Sequence, residues 1–139
     1  MCLAKDVMTS NPSVAREENT IYEVVRIMSR EDCGVVPVVD LDDKCAGIIT
    51  DRDICMRLVL DHLDPEDTVA SELMSEDVIT CHPDDDMEDV IAKMEREQIR
   101  RIPVVDDADK IVGIISEGDI AKSEVKPKLS ELVEAVVSP

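Results

Sequence analysis

The sequence predicts an α/β fold: two pseudo-symmetric α-β-α-β-β-α repeats packed as an intramolecular pair, followed by a short C-terminal helix. Three observations predict it. First, Val35-Val36-Pro37-Val38-Val39-Asp40 returns as Arg101-Ile102-Pro103-Val104-Val105-Asp106, and Gly47–Ile54 returns as Gly113–Ile120. The offset is 66 residues throughout, with no gap from Val7 to Ile54. A long internal repeat means that one supersecondary unit occurs twice, and the cleft between two such units is a natural ligand site. Second, Ile21, Val24, Val25 and Met28 recur at i, i+3, i+4 and i+7, the stripe of an amphipathic helix, and Met87, Val90, Ile91 and Met94 repeat it. Third, Val35–Val39 and Ile102–Val105 are short, β-branched and apolar at every position, as strands buried on both faces are.

The elements follow in order. Short helices at Ala4–Met8 and Val69–Met74 lead into the copies. Thr20 with Glu23 forms a capping box for the first striped helix, and Asp86 is the N-cap of the second. Proline inside each apolar run removes a ladder hydrogen bond, so Pro37 and Pro103 are expected at a strand end, an edge or a bulge. The polar turns Leu41–Lys44 and Asp107–Lys110 lead to second strands at Ala46–Thr50 and Ile111–Ser116. Helices are expected near Asp53–Leu63 and Asp119–Ser123. The copies are thus residues 4–63 and 64–123, with a linker at 61–68 that contains Asp64-Pro65, and a tail at 124–139. In the tail, Leu129, Leu132, Val133, Val136 and Val137 space out as an amphipathic helix that covers the domain or meets a partner chain.

Composition narrows the function. A chain of 139 residues is long enough for its own core. The net charge of −18 argues against nucleic acid as a partner, because phosphate binding needs clustered Lys and Arg. It also sets a condition: an anionic ligand must be held by locally placed cations or backbone amides. No apolar run approaches the roughly 20 residues of a membrane span. The first residues lack a basic stretch and a long apolar stretch, so secretion is not expected. Five cysteines (Cys2, Cys33, Cys45, Cys55 and Cys81) without a CxxC pair suit reduced thiols in a cytoplasm.

The repeat resembles the CBS domain, here as the tandem pair called a Bateman module, and most closely the small stand-alone two-CBS kind that includes the hypoxic-response type. The residues that carry the resemblance are the hydrophobic-Pro-hydrophobic-hydrophobic-Asp segments at 35–40 and 101–106, each followed by Gly-Ile-Ile-Thr/Ser-x-x-Asp at 47–53 and 113–119. It covers Ala4 to about Ser123. It implies an adenosine-containing ligand: AMP, ADP, ATP, S-adenosylmethionine or a dinucleotide, with Mg²⁺ as an optional companion of the phosphates. It further implies that the Thr/Ser and Asp of one copy face the ribose and nearest phosphate, while the other copy meets the base and further phosphates. One site then joins Thr50 and Asp53 to Ile79, Thr80, Arg100, Arg101, Ile102 and Pro103. The second, weaker site joins Ser116 and Asp119 to Val14, Gly34, Val35, Val36 and Pro37. Pairs of this kind dimerise, so a homodimer and an effector protein are the expected partners.

The residue chemistry agrees with that assignment. A carboxylate can accept from both vicinal ribose hydroxyls, a hydroxyl can donate to phosphate, and arginine offers a bidentate fork. Tyr22 is the only aromatic residue, so adenine would lie between Val and Ile side chains. Arg100-Arg101 favour the first site; Gly34-Val35 occupy the same places for the second.

Other readings remain open. Thr50 and Ser116 could simply cap helices, with Asp53 and Asp119 favourable at helix N-termini. A ligand-free dimerisation scaffold is one alternative. A thiol redox sensor is another, with Cys33 and Cys45 flanking Val35–Val39. Cys81-His82 is adjacent rather than at metal-ligand spacing, so no metal site is expected, and Asp84-Asp85-Asp86 is either a Mg²⁺ lure or a solvated helix start. No nucleophile–base pair or phosphate-cradling glycine loop is present, so catalysis is not expected.

Overall fold

A computed structural model describes residues 2–123. The expected helix over the 124–139 tail lies outside the described residues. In chain order the elements are α1 (Ala4–Val7), β1 (Thr9–Ser10), β2 (Ala15–Arg16), α2 (Ile21–Glu31), β3 (Val35–Val39), β4 (Cys45–Thr50) and α3 (Asp51–Leu60). They continue as α4 (Ala70–Leu73), α5 (Met87–Glu97), β5 (Arg101–Val105), β6 (Ile111–Ser116) and α6 (Glu117–Ala121). The two helices after the hairpins begin two residues earlier than expected, because Thr50 and Ser116 serve both as last strand residue and as N-cap.

The described residues form two compact units, one of residues 13–78 and one of residues 2–12 together with 79–123. Each is built on the same plan, and each takes its short leading helix from the stretch that precedes the other copy. In the first unit the strand order is β2-β3-β4, with β2 parallel and β4 antiparallel to β3. Ser75, just after α4, bridges Ile48 of β4 in both directions, N–H to carbonyl at 3.0 and 2.8 Å. In the second unit the order is β1-β6-β5, and Thr9 of β1 pairs with Ile114 in the same way that Ser75 pairs with Ile48. Met8 and Met74 pack so tightly over Gly113 and Gly47 that a Cβ at either glycine would collide with the methionine.

The hairpins owe their shape to the aspartate that closes each apolar run. Asp40 Oδ1 accepts from the N–H groups of Asp42 (2.8 Å) and Lys44 (3.0 Å), and Asp106 Oδ1 accepts from those of Ala108 and Lys110. Asp43 and Asp109 adopt φ near 63° and 65°, left-handed backbone that aspartate tolerates better than most side chains. One residue bulges in each hairpin, Ala46 opposite the Val38–Val39 step and Val112 opposite the Val104–Val105 step.

Pro103 lies in β5, the last named strand of its sheet, but Cys81 bridges Val104 on the outer side, with its N–H donating to the Pro103 carbonyl at 3.1 Å, so this is not an open edge. Pro37 does not lie at an end or an edge; it occupies the middle of β3, the central strand of its sheet. The missing N–H is tolerated for a geometric reason. Pro37 faces Ile48, whose own N–H and carbonyl point away from β3 toward Ser75, so this is a non-hydrogen-bonded pair. The other side of Pro37 is reached by β2 only from Val38 onward.

Each unit has its own core. In the first, Ile21, Val24 and Met28 of α2 pack on Val36, Val38 and Ile49. In the second, Met87, Val90, Ile91 and Met94 of α5 pack on Ile102, Val104 and Ile115. The stripes differ at one place: Ile91 is 2% exposed, whereas its counterpart Val25 is 43% exposed. The capping box forms as expected, with Glu23 N–H donating to Thr20 Oγ1 and Thr20 N–H donating to Glu23 Oε1. Those donors hold the Glu23 carboxyl below the usual carboxylate range.

Candidate ligand site at the strand-to-helix turns

The two Thr/Ser-x-x-Asp turns look alike in sequence and differ in bonding. Thr50 has extended backbone, and its Oγ1 accepts from the Asp53 N–H at 3.1 Å. Ser116 does the same for the Asp119 N–H at 3.2 Å. Accepting a bond leaves each hydroxyl its own proton to donate outward. The carboxylates then diverge. Asp119 closes a full capping box, with Ser116 N–H donating to its Oδ2 at 3.0 Å, and it also receives the Thr9 hydroxyl at 3.3 Å. Asp53 closes no box, and among the described residues no hydrogen bond or ion pair engages its half-buried carboxylate.

Register sets the neighbours of each turn. In the first unit Val35 stands opposite Thr50, and the Asp51 N–H donates to the Gly34 carbonyl at 2.9 Å. In the second unit Arg101 stands opposite Ser116, and the Glu117 N–H donates to the Arg100 carbonyl at 3.2 Å. Val14, Gly34, Val35, Val36, Pro37, Thr50 and Asp53 therefore belong to one unit. Ile79, Thr80, Arg100, Arg101, Ile102, Pro103, Ser116 and Asp119 belong to the other.

Burial decides what each can offer. Val36 and Ile102 are 0% exposed and serve their own cores, so they can meet a ligand through main-chain atoms and not through side chains. Of the Val and Ile side chains expected to flank an adenine, the half-buried Val14 and Ile79 are the ones left accessible. The Thr80 carbonyl is taken by Lys93 Nζ at 2.9 Å, which pins the segment before Cys81 to α5. Arg100 and Arg101 are exposed, as is Arg52. Five other Lys or Arg side chains form ion pairs among the described residues, and none of these three arginines does. Unpaired guanidinium groups on so acidic a chain are available to an anion.

The aspartate run before α5 is occupied with local structure. Asp84 pairs with Lys5 at 3.1 Å, Asp85 accepts from the His82 N–H, and Asp86 accepts from the Glu88 N–H. No group of three or more His, Cys, Asp or Glu converges as a metal-binding set among the described residues. Cys33 and Cys45, expected as a candidate thiol pair, lie at opposite ends of β3: Cys45 faces Val39, and Cys33 precedes Val35 by two residues. Several residues at about 3.3 Å each separate them, far beyond disulfide reach. Burial, then Asp85, pushes the Cys81 thiol up to about 12.

Comparison with known proteins gives a consistent result. A family model described as the CBS domain matches residues 4–60 and 69–126. Hypoxic response protein 1 of Mycobacterium tuberculosis is 30% identical over 100% of this chain and 96% of its own length. The CBS domain-containing protein YhcV of Bacillus subtilis is 34% identical over 90% of this chain and 87% of its own. Among solved structures, Hypoxic Response Protein I with two coordinated zinc ions has a TM-score of 0.80 at 30% identity, covering 87% of this chain and 98% of that one. The CBS domain pair of protein MJ0100, in complex with 5-methylthioadenosine and S-adenosyl-L-methionine, has a TM-score of 0.78 at 33% identity, covering 88% and 94%.

Proposed function

This chain belongs to the CBS domain family, with two copies of the domain in tandem, and on that premise we propose that it is a regulatory module that senses an adenosine-containing ligand. The observation that carries the reading is the difference between the two turns. Among the described residues the Asp53 carboxylate and the Thr50 hydroxyl proton are uncommitted, while Asp119 spends its carboxylate on its own helix and on Thr9. The preferred site uses Thr50 and Asp53 for the ribose and nearest phosphate. Arg100 and Arg101 meet further phosphates, Ile79 flanks the base, and Thr80, Ile102 and Pro103 line the site. Ser116 and Asp119 with Val14 and Gly34–Pro37 make a weaker site, because filling it displaces existing bonds. A relative at 33% identity holds adenosine compounds, which supports the ligand class. The chain acts on no substrate; its output passes to a partner protein.

Self-association is part of the proposal. Tyr22 and Val25 on α2 and Met56, Val59 and Leu60 on α3 are large apolar side chains between 43% and 68% exposed. Exposed apolar residues gathered on two adjacent helices mark an interaction surface. The same surface favours the second reading, a scaffold that dimerises without ligand. Calorimetric titration with AMP, ATP, S-adenosylmethionine and NADH separates the two: the sensor reading expects heat and a thermal shift with at least one. Silence with all four at millimolar concentration refutes it.

A further inference from the structure

We propose that Cys33 and Cys55 form a two-thiol site that hydroperoxides convert to an intramolecular disulfide across the groove between α2 and α3. Both thiols line one groove of about 380 Å³, whose other walls include Val25, Met28, Ile54 and Asp51. Local structure explains why they meet there. Asp32 ends α2 in the left-handed conformation, and the Cys33 N–H donates back to the Met28 carbonyl at 3.0 Å, which folds Cys33 onto the last helical turn. Cys55 lies one turn beyond Asp51 on the same face of α3. Asp51 is in turn tied to Gly34, the residue after Cys33, by its N–H at 2.9 Å. A single inter-element hydrogen bond thus links the backbone beside one thiol to the helix face that carries the other.

Two of the remaining thiols do not compete. Cys45 is at the far end of β3, and Cys81 is buried with its thiolate strongly disfavoured. Cys55 is exposed and Cys33 partly so, which gives a small oxidant access. The repeat supplies an internal control, since Ile99 and Ala121 occupy the corresponding places in the second copy. Packing at these positions therefore does not call for sulfur.

The chemistry balances with a hydroperoxide as the oxidant. The Cys55 thiolate attacks one peroxide oxygen, the O–O bond breaks, and the departing oxygen leaves as water with the thiol proton. The Cys33 thiolate then attacks the resulting sulfenic sulfur and expels hydroxide, which leaves as water with the second proton. Two thiols lose two electrons and two protons, and hydrogen peroxide becomes two waters. Because a disulfide holds its Cα atoms about 4.4–6.8 Å apart, the bond would tie the start of α3 to the end of α2 across the groove.

The test is hydrogen peroxide treatment of the full chain, followed by alkylation, intact mass and peptide mapping. The expected result is a loss of two hydrogens, a Cys33–Cys55 linked peptide, and reversal by dithiothreitol, with Cys81 unmodified. Cys33→Ser should leave Cys55 as a sulfenic acid that dimedone traps, and Cys55→Ser should leave Cys33 reduced. Full alkylation of both thiols after oxidant overturns the proposal. So does Cys55 found only in chain-to-chain disulfides, or either thiol paired with Cys2 or Cys45.

Discussion

Replacing Asp53 and Asp119 separately with alanine should split binding from stability. Asp119 Oδ2 receives the Ser116 N–H at 3.0 Å and its Oδ1 receives the Thr9 hydroxyl at 3.3 Å. A capping interaction contributes about 0.5–2 kcal/mol, and a partly exposed hydroxyl bond about 0.5–1 kcal/mol. Asp119→Ala should therefore lower unfolding stability by about 1–3 kcal/mol. Asp53 makes neither bond, so Asp53→Ala loses only a favourable charge in the first turn of α3, about 0.3–1 kcal/mol. Affinity should move in the opposite sense. Two ribose hydroxyls donating to the Asp53 carboxylate, at charge-assisted strength, make its removal cost about 2–3 kcal/mol. At 1.4 kcal/mol per decade that weakens binding about 30- to 150-fold. Asp119→Ala should change the affinity of the tighter site by less than about fivefold. Urea denaturation and calorimetric titration of both variants read the two quantities. Equal affinity losses, or an Asp53→Ala variant that destabilises as much as Asp119→Ala, would refute the argument that free and committed carboxylates divide these roles.

Three further outcomes are expected. Gly47→Ala should destabilise by about 1–3 kcal/mol, because the new Cβ would stand 2.6 Å from Met74 Sδ and 2.8 Å from the Ser75 carbonyl, and the latter is backbone that cannot yield. Gly118→Ala should instead stabilise by about 0.4–1 kcal/mol in the same urea titrations, since its nearest neighbour is Ser116 Oγ at 3.6 Å and it lies within α6; equal signs for the two variants would contradict the packing. The Glu23 carboxyl titrates below its ordinary value of 4.5 in the folded chain, so its contribution is present above that value and is lost as pH falls through the lower folded one. The stability gap between the wild-type chain and Glu23→Ala, measured from neutral to acid pH, should therefore close on acidification; a gap that widens would reverse the sign.

The repeat makes the fold legible in the sequence, because periodicity is a local property. The stripes of α2 and α5 and the β-branched runs of β3 and β5 each state their own structure within a few residues. Pro37 was less legible. Its tolerance depends on which side of β3 its nitrogen faces and on where β2 begins, and both are set by pairing between distant segments. Val25 was misleading in the same way: its spacing matches Ile91, yet one is exposed and the other buried, because burial depends on what packs against the helix.

The site divides along the same line. The sequence by itself determined the fold, the Thr/Ser-x-x-Asp turns, the helix caps they form, and the asymmetry of Arg100-Arg101 against Gly34-Val35, since each follows from residues close together in the chain. Only the tertiary structure decided that Thr9 commits Asp119 while Asp53 stays open, that Val36 and Ile102 turn inward, and that Cys33 shares a groove with Cys55 rather than approaching Cys45. Each of those depends on contacts between segments remote in sequence. Local chemistry says what a side chain is able to do, and long-range packing says which of its bonds are already made.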